Sequence, residues 1–200
     1  PQQRSPLFPR QPDAVLVAEP TLLQVVVAHK GTVRWRVRTT GRAAHSSRPQ
    51  QGDNAVYRMA KVLDLLERYA AEEVGALASH RLVGNPTLSV GIIAGGISVN
   101  TVPDDCYIEI DRRVVPGENA LAARQHVIDY LERHLPPGSP LTHEAPQTAG
   151  SGLNDDNNAA LAARLGAVAR HYGGGESIGV AYGTNAPAYA ATGVPTVVCG

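Results

Sequence analysis

Residues Val33–Ala55, VRWRVRTTGRAAHSSRPQQGDNA, decide the fold, because two periods meet in them. Val33, Trp35 and Val37 alternate with Arg34, Arg36 and Arg38, the pattern of a strand with one buried face. From Asn54 onward the apolar residues Ala55, Met59, Val62, Leu66 and Tyr69 recur at helical spacing, and Asp53 or Asn54 supplies an N-cap. Between strand and helix lies a tight turn of small and polar residues, Gly41–Gly52, that carries His45. Taken alone, a histidine in such a turn is most often ordinary surface, and Ser46-Ser47 can be local capping chemistry.

Outward from this stretch the alternation continues. The strand is expected to span Val25–Thr39 and the helix Asn54–Ala71. A second strand follows at Thr87–Ile93, with Leu88, Val90 and Ile92 on one side. A third covers Asp105–Val114, with Cys106, Ile108 and Ile110 facing in. A second helix runs from about Glu118 to Leu135, begun by Pro116-Gly117 and ended by Pro136-Pro137-Gly138, and a weaker strand lies near Leu141–Ala145. The order β-α-β-β-α-β is that of a ferredoxin-like sandwich, two helices over one face of an antiparallel sheet.

The flanks have another character. Ala14–Ala18 is a short apolar run, expected as a strand buried on both faces of a parallel sheet. Beyond Gly150 come a helix at about Asn157–Tyr172, with Leu161, Leu165, Val168 and Tyr172 on one side, a glycine-rich turn, a Gly183-Thr184 turn and a strand Val194–Cys199. The expected fold class is therefore α/β plus α+β: part of an α/β domain at residues 1–28 and 148–200, and a ferredoxin-like βαββαβ domain at 29–147 inserted between them. Both ends are expected to be truncated.

Composition narrows the function classes. Lys and Arg together number 18 and Asp and Glu 18, for a formal net charge of zero. With no basic stripe or aromatic platform, nucleic acid is not an expected partner. No apolar run approaches the ~20 residues that span a bilayer, so no membrane partner is expected. The start, PQQRSPLFPRQP, has none of the features of a secretory leader, and Cys106 and Cys199 make no disulfide framework, so a cytoplasmic location is the expectation.

G-x-x-A-H-S-S-x-P-x-x-G-x-N-A, read from Gly41 to Ala55, resembles the central-domain signature of the zinc amidohydrolase and peptidase family that contains acetylornithine deacetylase, succinyl-diaminopimelate desuccinylase, aminoacylase and carboxypeptidase G. Further segments agree in order: AVLVAEPT (Ala14–Thr21), HKG (His29–Gly31), GGISVNTVPDDC (Gly95–Cys106), DRRVVPGE (Asp111–Glu118) and YGTNAPAYAATGVPTVVCG (Tyr182–Gly200). Singly each is weak; together they cover roughly residues 13 to 200.

The resemblance implies an inserted dimerisation (lid) domain and a site with two Zn²⁺ ions per full-length subunit, Co²⁺ or Mn²⁺ being possible substitutes. It implies that Glu19 is a metal ligand and that His45 reaches a partner subunit's site in a homodimer to bind the oxyanion of amide hydrolysis. It further implies that Asn100, Arg113, Gly183 and Thr184 bind substrate, Arg113 through its planar fork. The expected activity is hydrolysis of the amide bond of small N-acyl amino acids or dipeptide-like substrates by metal-activated water, with the acetylornithine deacetylase pattern nearest. The upstream His-x-Asp, the acidic pair and the late His of that family have no counterpart at the corresponding motif positions of this sequence, so this chain alone is expected to be inactive. A rival reading is a non-catalytic ferredoxin-like dimerisation or amino-acid-binding module, and a second is a family member that has lost catalysis.

Overall fold

The computed structural model describes residues 11–200; the first ten, most of the proline-rich start, lie outside them. In chain order the elements are β1 (Val15–Val17), β2 (Val25–His29), β3 (Gly31–Thr40), β4 (Ala44–His45), α1 (Ala55–Tyr69), β5 (Thr87–Gly95), β6 (Thr101–Val102), β7 (Asp105–Val114), α2 (Ala120–His134), β8 (Leu141–His143), β9 (Thr148–Gly150), α3 (Ala159–Ala169), β10 (Ser177–Val180), α4 (Ala186–Ala190) and β11 (Thr196–Val198). They build two main layers. One is a sheet in the order β5-β7-β3-β8, with β9 also paired to β3; the other is a sheet in the order β1-β11-β2-β10.

In the first layer β3 and β7 pair antiparallel over their full lengths, from Gly31 opposite Val114 to Thr40 opposite Asp105. The even register sends Val33, Trp35, Val37, Cys106, Ile108 and Ile110 to one face, where all are buried. Helices α1 and α2 cover that face. The Asn54 side chain caps α1 by accepting from the Val56 and Tyr57 amides, and Asn119 caps α2 by accepting from Ala122. Ala55, Met59, Val62, Leu66 and Tyr69, the stripe expected from spacing, are all buried against the sheet. The opposite face carries arginine–carboxylate pairs, including Arg36–Glu109 and Arg38–Asp105.

The structure corrects five expectations. The strand expected over Val25–Thr39 is two strands. β2 belongs to the second sheet and β3 to the first, and the chain changes layer at Lys30 without a conventional turn. His29 therefore pairs in the second layer while Thr148–Gly150 pairs with β3 in the first, so the change of sheet falls slightly later at both crossings than residues 29 and 147. Ile92 does not share a side with Leu88 and Val90. A bulge between Val90 and Ile92 shifts the register, so Ile93 faces Ile108 and Ile92 lies opposite Glu109 on the outer face.

β1 is an edge strand with Leu16 exposed, rather than a strand buried on both faces, and its sheet is mixed: β1 runs parallel to β11, which runs antiparallel to β2. Helix α3 packs through small residues, Ala162, Gly166 and Ala169, whereas Val168 and Tyr172 are exposed. Gly166 explains this close approach: a Cβ there would stand 2.7 Å from the Gly175 carbonyl.

Candidate functional site

The residues singled out in the sequence fall into three places. The first is the far tip of the β3–β7 layer. There β4 and β6 form a two-stranded ribbon that sets Ala44 opposite Val102 and His45 opposite Thr101. The Ser46 amide donates to the Asn100 carbonyl at 2.9 Å, so His45 and Asn100 are brought together. Asn100 is held by the Ser98 hydroxyl, which donates to its Oδ1 at 2.6 Å. Both His45 and Asn100 are exposed.

His45 has a defined polarity. The Ser47 amide N–H donates to Nδ1 at 3.2 Å, and the Ser47 hydroxyl lies 2.8 Å from the same nitrogen. A backbone N–H can only donate, so Nδ1 accepts and the neutral ring carries its proton on Nε2. That nitrogen points away from the turn's own hydrogen bonds. Such an N–H suits an oxyanion.

The second place is the junction between the layers. A Cβ on Gly183 would meet the Lys30 carbonyl at 2.9 Å, which requires glycine in this close passage. Thr184 contacts His29, known from the sequence only as part of the HKG segment and given no role there. His29 is fully buried; its Nε2 lies 3.0 Å from the Thr184 hydroxyl and its Nδ1 2.9 Å from the Lys30 carbonyl. Burial pushes its pKa below the usual histidine value, partly offset by backbone hydrogen bonding. Lys30 is also buried and donates to the Asn85 carbonyl at 2.6 Å. Burial first, and then the charges of Arg113 and Arg112, push its pKa down.

Arg113 belongs to this junction end, opposite Thr32 at the start of β3. Its Nη2 donates to Asp111 at 2.9 Å, and Asp111 also accepts from Arg34 and from the Thr32 hydroxyl. Burial raises the Asp111 pKa, but hydrogen bonds from Thr32 and Arg34 and the charge of Arg113 outweigh it, so the carboxyl titrates below its ordinary range. Arg112 points to the opposite face, as parity requires. It is buried against Glu118 and the Arg113 carbonyl.

The third place is the edge of the second sheet where β1 and β11 end. Glu19 sits there beside Gly200: a Cβ on Gly200 would stand 2.8 Å from the Glu19 carbonyl. Because β11 and β2 are antiparallel, this edge is opposite the one that carries His29 and Thr184. Glu19 is exposed, and among the described residues no group of three or more His, Cys, Asp or Glu side chains could hold a metal ion. A zinc site takes three or four protein ligands. The described residues therefore do not fit a zinc centre by themselves. Among the described residues no helix is long and apolar enough to cross a membrane.

Comparison with known proteins identifies relatives of this chain. The model of the peptidase dimerisation domain matches residues 27–139. A Mycobacterium tuberculosis protein named as a succinyl-diaminopimelate desuccinylase is 31% identical over 186 residues, covering 92% of this chain and 49% of the relative. Acetylornithine deacetylase of Vibrio parahaemolyticus is 34% identical over 158 residues, covering 71% of this chain and 42% of the relative. The chain thus spans about half the length of these relatives. A tripeptidase from Staphylococcus aureus shares the fold with a TM-score of 0.67 and 22% identity, over 88% of this chain and 45% of that one. The match over β2 through α2, the segment that holds the His45 turn, the Asn100 ribbon and Arg113, makes this chain a member of the M20 peptidase dimerisation-domain family.

Proposed function

We propose that this chain carries the lid of a metal-dependent hydrolase that cleaves the amide bond of N-acyl amino acids or dipeptide-like substrates, nearest in pattern to acetylornithine deacetylase. It works as a homodimer in which His45 serves the partner subunit's site. The β5-β7-β3-β8 layer with its two helices is, in this reading, a ferredoxin-like lid, and the second layer belongs to the catalytic domain.

One observation carries the reading. Arg113 is opposite Thr32 and the Asn100 ribbon lies past Thr40, so about eight strand residues separate them, roughly 25 Å at the rise of a strand. Arg113, Gly183 and Thr184 at the junction cannot share a substrate with His45 and Asn100 of the same chain. A second copy, with its lid reversed, supplies the missing half. The β5 edge and the loop that follows it support that pairing: Ile92 and Ile93 are exposed on the strand, and Ile97 and Val99 in the loop.

In this division of labour Arg113 holds a substrate carboxylate and the Gly183-Thr184 turn lines the pocket. The Nε2–H of the partner's His45 donates to the carbonyl oxygen as it gains charge, and Asn100 adds a polar contact beside it. Metal chemistry, with Glu19 as one ligand, comes from the family resemblance alone, and because Glu19 lies at the opposite end of β2 from Thr184 it requires a substrate or a closure of the site that spans β2.

Complementation tests the reading. In the full gene product, His45→Ala is expected to lower kcat by about 10²–10³, the usual cost of losing one oxyanion donor. Glu19→Gln is expected to abolish activity. Mixing the two variants to form heterodimers is expected to restore part of the activity, because each heterodimer holds one intact composite site. Heterodimers without recovery would refute action across the interface.

A further inference from the structure

The hydrogen bonds at the junction fix more than a position. The Lys30 carbonyl can only accept, so His29 Nδ1, 2.9 Å away, must donate to it. A neutral ring with its proton on Nδ1 leaves Nε2 as an acceptor. The Thr184 hydroxyl at 3.0 Å therefore donates to Nε2, and the Thr184 amide at 3.4 Å points its N–H at the same atom. The Ala186 amide in turn donates to the Thr184 oxygen at 3.1 Å, at the first turn of α4. The single proton of the Thr184 hydroxyl is thus committed, and one of its two lone pairs is taken. A ligand meeting this hydroxyl finds only the second lone pair.

We propose that His29 is a positioning residue that makes the Thr184 hydroxyl a hydrogen-bond acceptor toward the ligand, so that the group selected at Thr184 is an N–H of the substrate and not a carboxylate or carbonyl oxygen. The proposal rests on the reading that the Gly183-Thr184 turn faces substrate. It changes what that turn recognises: carboxylate binding falls to Arg113, and Thr184 reads the amide. An oxygen acceptor brought to Thr184 would face lone pair against lone pair, since turning the hydroxyl outward would leave the buried His29 Nε2 with only the longer hydrogen bond from the Thr184 amide, at 3.4 Å. Losing the shorter of two hydrogen bonds to a buried acceptor is costly. Burial of His29 also favours its neutral form, which the arrangement needs.

The test compares, in the full gene product, kcat/KM for an N-acetyl amino acid and for the matched ester in which oxygen replaces the amide N–H. Intrinsic ester reactivity cancels when the amide-to-ester ratio is compared between variants. His29→Leu removes the acceptor and frees the hydroxyl proton, and the ratio is expected to fall about tenfold, chiefly through KM. His29→Gln, whose side-chain oxygen can accept from Thr184, is expected to keep most of the ratio.

Turnover with an unchanged ratio in His29→Leu would overturn the assignment while leaving the proposed hydrolase intact. If no N-acyl amino acid is turned over, the hydrolase reading and the amide selection built on it both fail. The tautomer is checked separately by nitrogen-15 NMR of labelled histidines in this chain, with His29→Gln giving the resonance assignment. A proton found on Nε2 would overturn the polarity of Thr184 whatever the substrate, and a proton on Nδ1 supports it.

Discussion

The two layers of this molecule are held together differently. The first sheet, called the lid for its place in the proposed function, has one continuous core, from Val33 and Trp35 through Met59 and Ile108 to Leu131, closed by two fifteen-residue helices. The second sheet is thinner. Its strands are three to five residues long, and its buried residues fall into two small clusters, Val25 with Val197 on one face and Val26 with Leu153 on the other. Strand β2 is buried along its whole length, covered on one face by Ala162 and Leu82 and on the other by Leu153 and Ala186. The lid thus folds around one large core, while the second layer divides its apolar burial between two small ones.

Core truncation puts the largest strain on that contrast. Trp35→Ala is expected to destabilise the lid by about 3–5 kcal/mol, as for a large residue in a filled core. Val197→Ala removes two buried carbons at about 0.8 kcal/mol each, so its effect should be nearer 1.5 kcal/mol. Hydrogen exchange would separate the two. Trp35→Ala should release protection over β3, β7 and β5 together, and Val197→Ala only over β11 and its neighbours. Equal, molecule-wide loss in both variants would mean that the layers unfold as one unit.

Arg113 sharpens the comparison from the functional side. It is on the lid's outer face, with its guanidinium partly exposed, so Arg113→Ala should hardly alter lid stability. In the full gene product it is expected to raise KM for a carboxylate-bearing substrate by about 10- to 100-fold, the value of a charge-assisted hydrogen bond, and far less for the matching carboxamide. Equal effects on both substrates would reject the carboxylate role.

A further difference is expected in the pH dependence, because each layer hides one neutral histidine. In the lid, His143 accepts from the Trp35 indole N–H at 3.3 Å, and its other ring nitrogen is buried without a partner. Burial, and then the charge of Arg124, lower its pKa to about 4. In the second layer burial likewise lowers His29. A histidine whose folded pKa is depressed contributes fully above the unfolded value of 6.5. Its contribution is lost as pH falls below that value toward the folded pKa, since the unfolded chain takes up the proton first. Lid stability should therefore decline between pH 6.5 and 4. His143→Leu should flatten that slope in the lid and leave the second layer's slope unchanged. A slope that persists in the lid of His143→Leu would assign it to other groups.

Much of the lid was legible in the sequence because periodicity and caps act locally. The Val33-Trp35-Val37 alternation, the Asn54 cap and the parity that turns Arg113 outward and Arg112 inward all depend on near neighbours. The misreadings have a common cause: each was decided by something distant. The apolar residues of Val25–Val33 are interrupted by His29-Lys30-Gly31-Thr32, but that interruption does not by itself signal a change of sheet, because the layer change at Lys30 is set by where Gly150 and Leu153 return. The bulge after Val90 is set by pairing with β7, and the small face of α3 by the close passage of Gly175. His29 is the clearest case in the site. Its role depends on Thr184, 155 residues away, and nothing local distinguishes it from a surface histidine.

The lid leaves the second sheet at His29 and comes back at Leu153, and these two residues exchange both backbone hydrogen bonds, at 3.1 and 3.0 Å. A Cβ on Gly31 would collide with the Gly150 carbonyl, so the outgoing and returning chains run in contact. To the second sheet, the whole lid is therefore topologically no larger than a tight hairpin. An exchange of lids between relatives, or a short turn joining His29 to Leu153, would ask almost nothing of the surrounding backbone. Such a junction lets the inserted module diverge, or be replaced, independently of the sheet that carries it.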